Sequence, residues 1–292
     1  MCIQMTGSLS MTESAKTGCL KRLAGVAMAA FVAVSACGAV APTDAERQES
    51  VKMNAETPSA ARPCAGGVKV VFLGNSITLH GRAPALGWTN LCGMAASEPD
   101  KDYVHLVVRG IEKRTGRKAD VRVRNLAGFE RGFKSYELAH EADLVAFAPD
   151  YLVIAIGENV GNLDEDERKA FETSLGSLLD RFMKAERPPR TVVRGVFWRN
   201  AWKDGILSRV ARARNAVFVE TADLGDDPAM RASGFSHAGV AAHPGDAGMA
   251  AIAERILLGL QVSCGNRRRS GAWVASADFR PAADRRALFC TG

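Results

Sequence analysis

Between residues 68 and 257 the chain switches repeatedly between short apolar runs and longer stretches with apolar residues at threes and fours. The run Val68-Lys-Val-Val-Phe-Leu73, closed by Gly74, Asn75 and Ser76, has the composition of a strand buried on both faces and stopped by turn formers. Runs near 119–124, 150–156, 190–198 and 216–220 read as further strands. Stretches near 101–116 and 165–185 set charge opposite an apolar stripe and read as amphipathic helices. Residues 88–96 also have helical spacing. After His243 another helix, N-capped by Asp246, buries Met249, Ile252, Ile256 and Leu257 on one side. Strands alternating with helices predict an α/β fold: three α/β/α layers around a parallel sheet of about five strands in flavodoxin-like order.

The first 66 residues lack that alternation. Lys16, Lys21 and Arg22 precede the apolar run 23–34, which has the length of an export-signal core and is too short to span a membrane stably. It ends in Val34-Ser-Ala-Cys37, which resembles the lipobox of bacterial lipoproteins, with Cys37 as the lipidated residue; cleavage after Ala41 instead would leave Pro42 as the next residue. The expected organisation is a signal over 1–41, a flexible linker rich in Pro, Ala, Ser, Glu and Thr over 42–66, one domain over 67–262, and a basic tail over 263–292. That tail is either solvated or packed through Trp273, Phe279 and Phe289. The expected location is periplasmic or cell-surface, anchored to a membrane by lipid. In such a compartment some pair of Cys64, Cys264 and Cys290 is a candidate to bridge the ends, while Cys92 suits a buried apolar position. A formal charge of +6 is modest for 292 residues, and without zinc spacing, a basic helix or aromatic–basic interleaving no nucleic-acid partner is implied.

Parallel strands send their following loops to one edge, where ligands of open α/β sheets bind. Four such loops carry chemistry. Ser76 follows the first strand, Asn125-Leu-Ala-Gly-Phe-Glu-Arg131 the second, and Gly157-Glu-Asn159 the third, while His243-Pro-Gly-Asp246 opens the last helix. Each has a plain structural use as cap, turn or loop residue. Together a hydroxyl, a backbone glycine, an amide and an imidazole supply the nucleophile, oxyanion donors and base of acyl transfer.

In order and context these segments resemble the SGNH (GDSL-type) hydrolases over about residues 67–262. The resemblance implies the SGNH fold, Ser76 as nucleophile, His243 as base with His237 as rival, and Gly128 and Asn159 as oxyanion donors beside the Ser76 N–H. Gly132 competes with Gly128. Asn75, Glu158 and Trp88 are candidate substrate contacts; an indole shortly after the nucleophile can stack on a sugar or fill the core. One position departs from the family, which usually carries Asp three residues before the histidine: here it is Val240. Valine accepts no hydrogen bond. Either a backbone carbonyl or a carboxylate from elsewhere, Glu158 among them, orients His243, or the site is crippled; leaving the imidazole in the wrong tautomer costs about 10⁴ in kcat.

The expected activity is hydrolysis of short-chain esters, O-acetyl groups on carbohydrates above all, without metal or organic cofactor. The expected partners are a small-molecule or glycan ester and, through the lipid, a membrane surface. Two rivals stand beside it: a glycan-binding lipoprotein whose active site has decayed, and an acyltransferase acting on a surface polysaccharide.

Overall fold

The computed structural model describes residues 66–262 and, by its backbone, Val51–Met53. The expectations for Cys37, Cys64, Cys264, Cys290 and the basic tail fall outside the described residues. Six strands form one sheet: β1 (Val51–Met53), β2 (Val68–Gly74), β3 (Ala119–Asn125), β4 (Tyr151–Ala155), β5 (Arg190–Arg194) and β6 (Val217–Val219), in spatial order β1-β3-β2-β4-β5-β6. From β2 to β6 all pairings are parallel, which is the expected five-strand sheet of flavodoxin-like order. The addition is β1. It lies antiparallel on the β3 edge with Val51 opposite Val123, inside the stretch read as a linker. Backbone pairing to an open sheet edge needs no amphipathic pattern, so nothing in composition announces it.

Alternation along β2 divides the core. Val70 and Phe72 face α1 (Tyr103–Thr115), through Val104, Val107 and Ile111, and α8 (Asp246–Gly259), through Met249, Ile252 and Ile256. Val71 and Leu73 face the opposite layer: α2 (Ala127–Gly132), α3 (Ala142–Ala146), α4 (Glu165–Met183) and α5 (Ala201–Arg212). Each central strand residue meets a helix whichever way it points. The short helices α6 (Ala222–Asp226) and α7 (Ala238–Ala241) complete the first layer through Leu224 and Val240.

Two local expectations fail for identifiable reasons. Residues 88–96 form no helix, because their backbone is committed elsewhere: the Cys92 carbonyl accepts from His80 N, Ala83 N donates to the Trp88 carbonyl, and Gly93 N donates to Asp102. Asp246 is not the cap of α8. Gly245 holds that place, while the Asp246 carboxylate accepts from Ser97 N (2.8 Å) and Ser97 Oγ (2.7 Å), tying this irregular segment to the helix start.

Candidate active site

Strand register brings three of the four candidate loops together. Gly74 at the end of β2 pairs with Asn125 at the end of β3 and with Ala155 at the end of β4, so three of the candidate loops leave the sheet at one level. The chain after β2 folds into a tight turn in which the Asn75 carbonyl accepts from both Thr78 N and Leu79 N at 2.9 Å. Glycine is required before it: a Cβ on Gly74 would lie 1.8 Å from Thr78 Oγ1 and 3.0 Å from the Ala155 carbonyl. Ser76 sits in this turn, half-buried, and its Oγ lies 2.9 Å from His243 Nε2.

The histidine is held from behind. His243 Nδ1 lies 2.7 Å from the Gly239 carbonyl, which can only accept, so the proton sits on Nδ1 and the Nε2 lone pair faces the serine. The backbone carbonyl is therefore the orienting group, and Val240 points into the core at 1% exposure. Trp198 stands perpendicular to the imidazole, ring centroids 5.2 Å apart, and its Nε1 donates to the Ala242 carbonyl at 3.1 Å. Burial lowers the His243 pKa from its ordinary 6.5, opposed by the Gly239 bond and the Glu158 charge and reinforced by neighbouring His80. The rival His237 caps α7, its Nδ1 accepting from Val240 N at 3.4 Å.

Beneath the serine lies a buried polar network that the sequence reading assigned differently. Asn75 is fully buried and gives its two amide hydrogens to Glu130 Oε1 (3.0 Å) and Glu158 Oε2 (2.6 Å), so it braces the turn that carries Ser76 and is not exposed to meet substrate. Glu158 likewise faces inward: its carboxylate accepts from Arg194 Nη2 (2.7 Å) and Phe197 N (3.0 Å). It neither contacts substrate nor replaces the missing Asp. Burial alone would raise the Glu158 pKa, but the Arg194 charge and the hydrogen bonds outweigh it and hold it below the ordinary carboxylate value. Trp88 is core, 1% exposed and packed near Phe235, because its ring is worth more out of water than on a loop.

Gly128 lies in the first turn of α2, ahead of the first helical bond from Glu130 N to the Leu126 carbonyl, so its N–H is not used by the helix. Gly132 closes the same helix. Asn159 gives one amide hydrogen to Glu130 Oε2 at 2.6 Å, leaving the other. Glu130 and Arg194 are the residues that sequence reasoning missed. Their signal was present: Glu130 shares a helical face with Leu126, Phe129 and Phe133, and Arg194 interrupts an apolar run from Val192 to Phe197. Among the described residues, no group of three or more His, Cys, Asp or Glu is arranged to hold a metal.

No protein-family model matches the chain, and no curated protein sequence does. Solved structures similar to it include an acetylxylan esterase from Geobacillus stearothermophilus, 20% identical, with a TM-score of 0.46 over 66% of this chain and 94% of that one. An α/β hydrolase enzyme from the metagenome of Lake Arreo, Spain, is 21% identical, with a TM-score of 0.47 over 68% of this chain and 97% of that one. A two-domain esterase active on acetylated mannans is 22% identical, with a TM-score of 0.47 over 70% of this chain and 52% of that one.

Proposed function

We propose that the chain is a serine esterase of the SGNH type, exported and lipid-anchored through Cys37, that removes acetyl groups from carbohydrates. The observation that carries the reading is the 2.9 Å contact between Ser76 Oγ and His243 Nε2, with the imidazole tautomer fixed by Gly239. In this reading His243 takes the Ser76 proton as Oγ attacks the ester carbonyl carbon. The tetrahedral oxyanion is met by the Ser76 and Gly128 N–H groups and the Asn159 amide. His243 then returns the proton to the leaving alcohol, and water, activated by the same Nε2, releases the acyl group. The choice of acetylated carbohydrate rests on the resemblance to exported members of the family.

The test is hydrolysis of p-nitrophenyl acetate and acetylated xylan by the wild-type protein beside Ser76→Ala. Turnover that disappears in the variant supports the reading. Equal background rates from both proteins on both substrates sink it. Transfer of acetyl to an added polysaccharide in preference to water selects the acyltransferase instead.

A further inference from the structure

Glu130 carries no role in the reaction as described above, yet its placement is unusual. It is a carboxylate at 1% exposure, two residues after Gly128 on α2, and it accepts from four donors: Asn75 Nδ2 (3.0 Å), Gly157 N (2.5 Å), Asn159 N (3.3 Å) and Asn159 Nδ2 (2.6 Å). Three of these donors converge on Oε1 and the Asn159 amide alone on Oε2, so both oxygens act as acceptors and none of the four neighbours can itself accept there. The donors belong to the nucleophile turn after β2 and the loop after β4, while Glu130 itself belongs to the element after β3. One side chain thus joins the three segments that supply Ser76, Gly128 and Asn159.

We infer that Glu130 is the positioning residue of the oxyanion hole, fixing the Asn159 amide so that its second hydrogen is presented to the reacting oxygen. This rests on the esterase reading for its catalytic consequence. The requirement is specific to a carboxylate. A glutamine of the same shape brings two N–H donors to a place where all four neighbours also donate, so at least one of them must turn away. The loop is otherwise held from the far side, where Lys203 Nζ donates to the Val160 carbonyl, and Gly157 has φ +130° with no room for a Cβ beside Val196. A glutamine oxygen in the place of Oε1 still accepts from Gly157 N and Asn159 N, so the chain is expected to keep its path in Glu130→Gln while the Asn159 amide, facing N–H₂ in the place of Oε2, loses its aim.

The experiment is a double-mutant cycle with Glu130→Gln, Asn159→Ala and the two combined, read by kcat and KM on p-nitrophenyl acetate. Removing one oxyanion donor typically costs about 10²–10³ in kcat. The expectation is a loss of that order for Glu130→Gln with KM within about threefold, and a double variant no slower than Asn159→Ala alone, because both act through one amide. Losses that multiply, or a kcat unchanged by Glu130→Gln, overturn the inference. A second readout needs neither turnover nor a variant that folds: the side-chain amide of Asn159 in the ¹⁵N–¹H spectrum of the wild-type protein. One proton displaced downfield of the ordinary primary-amide pair and slow to exchange supports the placement; a pair at ordinary positions that exchanges rapidly overturns it. An inactive wild type with the displaced proton would refute the esterase reading and leave the positioning geometry standing.

Discussion

His243 Nδ1 donates to the carbonyl of Gly239, four residues earlier in the chain, at 2.7 Å, where SGNH enzymes ordinarily present an aspartate three residues before the histidine. A carbonyl fixes the same tautomer as a carboxylate, since neither can donate. It offers a partial charge in place of a full one, so it aims the ring well and stabilises the imidazolium less.

An aspartate at position 240 is expected to harm the protein. Val240 is packed in the core with Met249 and Trp88 in the same cluster, so Val240→Asp places a carboxylate among apolar side chains. An unpaired buried charge of this kind costs on the order of 3 kcal/mol. Thermal unfolding should move down and kcat/KM should not rise. An increase in kcat would show that the side chain can swing to Nδ1 and that the carbonyl is a poor substitute.

In the proposed reaction His243 must be neutral to accept the Ser76 proton, and burial lowers its pKa from 6.5. The acidic limb of kcat/KM is therefore expected below pH 6.5. The same shift links to stability: with the folded pKa depressed, the contribution is complete above 6.5 and is lost as pH falls from there through the folded value. A pH–rate profile paired with an NMR titration of the His243 ring checks both. An inflection above 6.5 contradicts the geometry of a half-enclosed imidazole.

The scaffold was legible because its physics is one-dimensional: an apolar run such as 70–73 must be a strand covered on both faces, and Ser76 and His243 stand where such strands and the last helix begin their loops. Polar residues were legible only as far as their exposure could be guessed. Asn75 and Glu158 adjoin Ser76 and Asn159 in the chain and Trp88 lies a dozen residues past Ser76, and closeness in sequence suggests substrate contact. In the fold all three point inward. What a polar side chain does depends on long-range partners, and the partners of Asn75 lie 55 and 83 residues away. Glu130 and Arg194 escaped for the same reason: a charge on an apolar face is meaningful only once its counterpart is known.

Gly157 is expected to be the least replaceable position of the loop that carries Asn159. Its φ of +130° is one that residues with a Cβ rarely adopt, and an added Cβ would come within 2.7 Å of Val196 Cγ1. Strain of this sort costs about 1–3 kcal/mol. Gly157→Ala should lower the unfolding temperature and, by shifting the neighbouring Asn159, reduce kcat more than KM. A variant with wild-type kcat would show that the loop tolerates the displacement and that Asn159 is not held to close tolerance.

Arg194 is fully buried and is the counter-charge for Glu158, whose side chain is 2% exposed; its Nη1 also donates to the Gly195 carbonyl at 2.6 Å. Arg194→Met keeps much of the volume and removes the charge, leaving a buried carboxylate hydrogen-bonded by Phe197 N and Asn75, with Lys203 as a more distant counter-charge. Breaking a buried pair in this way costs about 3–5 kcal/mol, or roughly 10 °C in Tm for a domain of this size. The pH dependence separates charge from packing. In the wild type the Glu158 pKa is held below its ordinary 4.5, burial being outweighed by Arg194, so its contribution is present above that value and lost as pH falls through the folded pKa. Without Arg194 burial acts unopposed by the guanidinium and the carboxyl takes up a proton more readily. The stability gap between variant and wild type is therefore expected to be widest near neutral pH and to narrow toward pH 4, and Glu158→Gln in the Arg194→Met background should recover part of it. A gap of constant size across that range, measured by thermal melts in matched buffers, would mean that Arg194 stabilises the fold by filling space and that the ion pair contributes little.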